Sequence, residues 1–173
     1  DLDGVIADVE ESYRLCVLKT AGTFGVEVTR EELANMVLKG DANNDWVLTH
    51  RILAGQGTDV SLEAVTEAYQ ELYLGTSTSP GLRESEGLLV PRDVLSNLAD
   101  RLPLAIVTGR PREEAEWFLD KEGLTGLFQA GVFMEDGPLK PDPAPVRAAA
   151  TALGVDRTWM IGDTPDDIRA AAR

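Results

Sequence analysis

The chain has 173 residues, 43% of them hydrophobic, and a formal charge of −14. That length and apolar content exclude a disordered chain and allow one sizeable core with room for a small second domain. The acid excess excludes nucleic acid as a partner, because phosphate backbones are repelled, and no apolar run reaches the roughly 18 residues of a membrane span.

In chain order, the text opens on Asp1-Leu2-Asp3-Gly4-Val5, an acidic start that does not read as a secretory leader. Residues 8–20 follow as a helix, with Val9, Tyr13, Cys16, Val17 and Thr20 along one side. Cys16 is the only cysteine, so an internal disulfide is excluded; it reads as a packed thiol and the chain as cytoplasmic. Thr29 caps a helix that carries Glu31 and Glu32 in its first turn and ends at Lys39-Gly40. A helix over 44–54 stops at Gly55-Gln56-Gly57, and Ser61 caps another that runs to about Leu74. The run Gly75 to Gly81 reads as a linker, so residues 12–80 form an all-helical insertion.

The pattern changes after Gly81. Pro91 to Asp100 reads as a helix, and Leu102 to Thr108 as a buried strand stopped by Gly109. A helix over 111–122, a strand over Gly131–Met134, a helix over 143–153, a strand over Thr158–Ile161 and a helix over 165–172 complete the chain. Strands alternating with helices predict a parallel sheet. The predicted fold is α/β: a three-layer Rossmann-like parallel-sheet core, residues 1–11 and 81–173, carrying an all-helical cap over 12–80. In this reading Asp1 needs a strand before it, and the expectation is that the natural protein extends beyond both Asp1 and Arg173.

Open parallel sheets bind ligands at the carboxyl ends of their strands. Thr108 ends one predicted strand, Asp163 follows another, Lys140 lies in the loop after a third, and Asp1 and Asp3 belong at the end of the strand expected before them. Four scattered motifs therefore converge on one sheet edge. Taken singly each is bland: Asp-Gly marks turns, Thr-Gly stops strands, and a lone lysine is usually solvated. Together they point to a magnesium site that handles phosphate through an aspartate nucleophile.

The order Asp1-Leu2-Asp3-Gly4-Val5, Thr108-Gly109, Lys140-Pro141-Asp142-Pro143 and Gly162-Asp163-Thr164-Pro165-Asp166-Asp167 resembles the haloacid dehalogenase-like (HAD) superfamily of phosphatases, across essentially the whole chain. Ser12-Tyr13-Arg14 and Asn43-Asn44-Asp45-Trp46 look like a small subgroup of it with no firm substrate. The resemblance implies a magnesium-dependent hydrolase of a small phosphomonoester. Asp1 would be the nucleophile that forms an aspartyl phosphate, and Asp3 the general acid and base. Mg2+ would be held by the side chains of Asp1 and Asp163 and the backbone carbonyl of Asp3. Thr108, Gly109 and Lys140 would hold the phosphoryl group, with Asp167 behind them orienting water or Lys140; Asp166 is a weaker substitute for that role. Arg110 departs from the commonest family text and receives no catalytic role.

The cap would exclude water when closed, hinged near 9–12 and 76–81. Its candidate substrate contacts are Arg14, Lys39, Asn43, Asn44 and Trp46, against a bland reading of helix capping by the asparagines and core packing by Trp46. His50, the only histidine, reads as a surface residue. Two other readings stay open: a phosphotransferase or phosphosugar mutase on the same scaffold, and a non-catalytic module that binds a phosphorylated metabolite. The partner expected throughout is that small metabolite, with neither nucleic acid nor membrane.

Overall fold

The computed structural model describes residues 1–172. In chain order the elements are β1 (Ala7–Asp8), α1 (Tyr13–Thr23), α2 (Arg30–Val37), α3 (Asp45–Gly55), α4 (Leu62–Leu74), β2 (Gly75–Thr76), β3 (Ser79–Pro80) and β4 (Gly87–Leu88). Then come α5 (Arg92–Ala99), β5 (Ala105–Val107), α6 (Arg112–Lys121), β6 (Ala130–Val132), α7 (Ala144–Leu153) and α8 (Pro165–Ala171), with 3-10 turns at Leu82–Ser85 and Met134–Asp136. Two compact units result, Asp1–Asp8 with Gly87–Arg173 and, inserted between those segments, Val9–Glu86.

The inserted unit is helical because its apolar residues recur at helical spacing and each helix has a start signal. Tyr13, Cys16, Val17, Thr20 and Ala21 bury one side of α1, and Val65, Tyr69 and Tyr73 one side of α4. These faces meet each other and Leu48, Ile52 and Leu53 of α3. Tyr13 is the hinge of the packing, its ring 4.6 Å from that of Tyr73 and 6.2 Å from that of Tyr69, both tilted. Thr29 forms a reciprocal capping box with Glu32, and Ser61 accepts the Ala64 N–H at 3.2 Å.

In the other unit β5 and β6 run parallel, with Ala105, Ile106 and Val107 opposite Ala130, Gly131 and Val132, and α6 forms the crossover between them. The ladder continues one step, as the Thr108 N–H donates to the Val132 carbonyl at 3.0 Å. Val107, Val132 and Ala149 form a buried cluster joined by Ala105, Val146 and Met160, so α7 covers one face of the pair. This α/β arrangement is the Rossmann-like core expected from the alternating pattern.

Three local readings are corrected. Residues 8–12 are not helical: Ala7 and Asp8 pair antiparallel with Leu88 and Gly87, and α1 starts only at Tyr13. The run from Gly75 to Gly81 is not a plain linker, since Gly75–Thr76 and Ser79–Pro80 close a short antiparallel hairpin. Residues 158–161 are not a strand, although their text is apolar. Trp159 is 97% and Ile161 64% exposed, and among the described residues one backbone bond reaches the segment, from the Asp1 nitrogen to the Ile161 carbonyl at 2.8 Å. A strand exists only where a ladder of such bonds forms, and one bond is not a ladder. Asp163 therefore follows a segment with no ladder, which the Asp1 nitrogen meets at Ile161.

Candidate active site

Lys140 is the centre of the site. It sits in the loop after β6 and its 3-10 turn, before a cis Lys140–Pro141 peptide. Its side chain is 2% exposed, and its Nζ donates to Asp167 Oδ1 at 2.5 Å and to the Val107 carbonyl at 3.3 Å, with Asp1 Oδ2 at 2.9 Å. An ammonium has three protons, and three acceptors meet it. The lysine thus ties the end of β5 to both acidic ends of the sequence.

Asp1 is fixed from two sides. Its Oδ1 accepts the Leu2 N–H at 2.7 Å and its Oδ2 faces Lys140. Asp167 lies in the first turn of α8, where it closes a capping box: its Oδ2 accepts the Thr164 N–H at 3.0 Å and the Thr164 hydroxyl at 2.7 Å. Burial opposes the charge on Asp167, but the Lys140 charge and the hydrogen bonds from Lys140 and Thr164 outweigh it and hold the carboxyl below its usual range. Asp166 is equally buried but turns to Arg169, 3.1 Å away on its own helix.

Asp163 completes the cluster, and carboxylate oxygens of Asp1, Asp163 and Asp167 lie within 4.8 Å of one another. Two glycines make the approach possible. A Cβ on Gly4, which adopts φ +70°, would stand 2.0 Å from Asp163 Oδ2; one on Gly162 would stand 2.2 Å from the Asp167 Cβ. The backbone turn at Gly4 is a tight one, with the Gly4 N–H donating to Ala7 O at 3.0 Å and the Ile6 N–H to Leu2 O at 2.9 Å. The donor set is all carboxylate oxygen, which suits a hard divalent cation such as Mg2+. Asp167 accepts three hydrogen bonds, one from Lys140 and two from Thr164, whereas Asp1 accepts one N–H and shares the Lys140 ammonium, so Asp167 is the more fully satisfied of the two.

Asp3 occupies the other side of the turn. Its Oδ2 accepts from the Thr108 hydroxyl at 3.5 Å, and Thr108 Oγ1 accepts the Arg110 N–H at 3.1 Å. Gly109 lies between them, at the carboxyl end of β5. Asp1, Asp3, Thr108, Lys140, Asp163 and Asp167 are thus gathered at one place, as the motif order predicts. Sequence reasoning missed Arg110, whose wholly buried guanidinium donates from Nε to Asp3 Oδ1 at 3.0 Å and also from Nη2 to the same oxygen. Its position directly after Thr108-Gly109 is the only signal in the text, and burial is not written there.

Arg14 and Asn44, two of the candidates in the inserted unit, have local partners. Asn44 caps α3 by accepting the Val47 N–H at 3.0 Å, the structural role weighed for it. Arg14 meets Asp45 at 3.4 Å, and the Tyr69 hydroxyl, with one proton to share, lies 3.4 Å from Asp45 Oδ2 and 3.2 Å from the Tyr13 carbonyl, a part-buried polar cluster sequence reasoning did not find. Asn43 and Trp46 are half-buried on either side of that cap. Lys39 lines a cavity of about 460 Å³ with Asp41, Arg51 and Glu32, in which Arg51 is paired with Asp41 at 2.7 Å. His50 Nε2 lies 3.0 Å from the Val60 carbonyl. Among the described residues no helix is long and apolar enough to cross a membrane.

Comparison with known proteins gives three kinds of match. The chain is 45% identical over 181 residues to an imidazoleglycerol-phosphate dehydratase of Phytophthora nicotianae, all of this chain against 40% of that protein, so it spans well under half of that relative's length. It is 27% identical over 173 residues to a phosphoglycolate phosphatase of Cereibacter sphaeroides, 99% of this chain and 78% of that one. Among solved structures, CbbY from Rhodobacter sphaeroides in complex with phosphate superposes with a TM-score of 0.75 at 22% identity, covering 99% of this chain and 79% of that one, a likeness of fold. The family model described as haloacid dehalogenase-like hydrolase matches residues 1–173.

Proposed function

This chain belongs to the haloacid dehalogenase-like hydrolase family, and we propose that it is a magnesium-dependent phosphatase that cleaves a small phosphomonoester through an aspartyl phosphate on Asp1. The observation that carries the reading is the buried Lys140 ammonium bridging Asp1 and Asp167, with Asp163 brought into the same carboxylate cluster. A structural ion pair needs one acid; two acids on one lysine, with a third carboxylate beside them, leave the excess negative charge that a cation site requires. Asp1 and Asp163, with the Asp3 carbonyl, are the groups proposed to hold Mg2+. Bound there, the ion would supply the positive charge that offsets the repulsion of the Asp1 carboxylate and a phosphate dianion.

The chain's own residues then divide the work. Asp1 attacks phosphorus, forming its O–P bond as the bond to the leaving oxygen breaks, and Asp3 gives that oxygen its proton. In the second step Asp3 takes a proton from water, whose oxygen bonds to phosphorus while the Asp1 O–P bond breaks and inorganic phosphate leaves. Lys140 aims Asp1 and spreads positive charge onto the transferring group. Thr108 and the Gly109 backbone receive the phosphoryl oxygens at the end of β5. Asp167 holds Lys140 in place.

The substrate class is a small alcohol carrying one phosphate. The names of the two relatives support it, one acting on phosphoglycolate and the other on imidazoleglycerol phosphate. Phosphate release should therefore be measured over a panel of phosphoglycolate, imidazole-bearing alcohol phosphates, phosphoserine and sugar phosphates. Release from at least one, dependent on Mg2+ and abolished by both a chelator and Asp1→Asn, is the expected result. No release from any of them by folded protein in Mg2+ would sink the reading.

A further inference from the structure

We propose that Arg110 is the positioning residue that aims the Asp3 carboxylate for proton transfer, an inference that rests on the reading of Asp3 as proton donor and acceptor. Its guanidinium reaches one Asp3 oxygen with two nitrogens: Nε donates to Oδ1 at 3.0 Å, and Nη2 donates to that oxygen as well. The other oxygen, Oδ2, faces the Thr108 hydroxyl at 3.5 Å. The two oxygens of Asp3 are therefore no longer equivalent. A quarter turn of the carboxylate would break both charge-assisted hydrogen bonds, whereas a half turn only exchanges two chemically identical oxygens, so the arginine fixes the plane of the group with one oxygen always outward. Oδ2 is left directed to the end of β5, where the phosphoryl group is read to bind.

Arg110 cannot be the group that meets substrate. Its side chain is 0% exposed while that of Asp3 is 26% exposed, so the carboxylate is the open end of the pair and the arginine the closed end. It is held from several directions at once. Its N–H is on Thr108 Oγ1, its carbonyl accepts the Met134 N–H at 3.1 Å, and its guanidinium lies 5.4 Å from the centre of the buried Phe118 ring of α6. The planar guanidinium can present two parallel N–H groups to one acceptor while stacked on a ring. A lysine ammonium in the same slot supplies charge but not the fork.

The test uses Arg110→Lys and Arg110→Met in the full chain, with p-nitrophenyl phosphate as the probe in stopped flow. Nitrophenolate leaves without needing a proton, so the first step does not call on Asp3, whereas the second step does. Both variants should release a burst of about one equivalent of nitrophenolate per site at near wild-type speed. Steady turnover should then fall roughly 10- to 100-fold below wild type, with KM changed less than about 3-fold. A burst slowed as much as the steady rate, or a loss carried by KM, would overturn the inference, because damaged packing or a lost phosphate contact would do that.

A second measurement covers a poorly folding Arg110→Met or a probe the wild type does not accept. On any panel substrate the wild type hydrolyses, adding Arg110→Lys to Asp3→Asn should cost less than about 2-fold more in kcat. Full additivity refutes the coupling. The two readings fail differently. If Asp3→Asn keeps wild-type kcat, the role of Asp3 falls; if Asp3→Asn is impaired and the Arg110 variants are not, only this inference falls.

Discussion

Replacing Lys140 with methionine tests the centre of the site without touching its acids. Methionine fills most of the volume and removes the charge. Asp1, 7% exposed, and Asp167, 1% exposed, are then left facing each other with no cation between them. Removing one partner of a buried ion pair costs about 3–5 kcal/mol. The lower figure applies here, because Asp167 keeps both Thr164 bonds and Asp1 keeps the Leu2 N–H. At about 2–4 °C per kcal/mol for a chain of this size, a 3 kcal/mol loss lowers the melting temperature by roughly 6–12 °C. The assay is a thermal melt in chelator, followed by circular dichroism. Adding Asp167→Asn to Lys140→Met should restore part of the loss, since it deletes one of the stranded charges, and added Mg2+ should narrow the gap to wild type. A shift below about 2 °C in chelator, or a double variant that melts lower than Lys140→Met alone, would refute the account of Lys140 as the charge that holds the two acids together.

Gly4→Ala should uncouple the metal from the fold. The new Cβ would stand 2.0 Å from Asp163 Oδ2 on a residue at φ +70°, so the carboxylate must move; the expected outcome is a thermal shift with Mg2+ that shrinks to near zero while the melting temperature in chelator drops by only roughly 2–4 °C, from about 1 kcal/mol of backbone strain. A full Mg2+ shift in the variant would show that Asp163 is not a ligand. Asp136 offers a pH test away from the site. The Phe133 N–H, at 2.9 Å, chiefly lowers its carboxyl below the usual range; burial opposes this, and Arg112 adds to the lowering. A depressed carboxyl stabilises the fold above its unfolded range, and the contribution fades as pH falls through the folded value. Asp136→Asn should therefore cost under about 1 kcal/mol at neutral pH, because the side chain is 34% exposed, and its urea midpoint should converge with wild type in strong acid. A gap that widens in acid would reverse the sign and refute the argument.

Helices and motif order were legible because they are written in local spacing. Thr29 and Ser61 announce their helices by side chains that reach three residues ahead, and Tyr13, Cys16, Val17 and Thr20 announce a buried face by their period. Strands were less legible. Ile106 and Val107 read correctly as buried, but Thr158–Ile161 has the same apolar look and forms no ladder, since pairing depends on a neighbour that local sequence does not name.

By itself the sequence determined which residue types meet: acids at both ends of the text, a threonine at a strand end, and one lysine in a loop. The parallel pair sets Thr108 at a strand end and Lys140 in the loop beyond, as chain order implied, whereas Asp163 reaches them without a strand before it. The tertiary structure alone decided how they share the work. It set Lys140 between Asp1 and Asp167, packed Gly4 and Gly162 under two of the acids, and buried Arg110 on Asp3. The physical reason is distance. A charge exerts its effect within a few ångströms through the space of the fold, and the 107 positions from Asp3 to Arg110 carry no trace of that proximity.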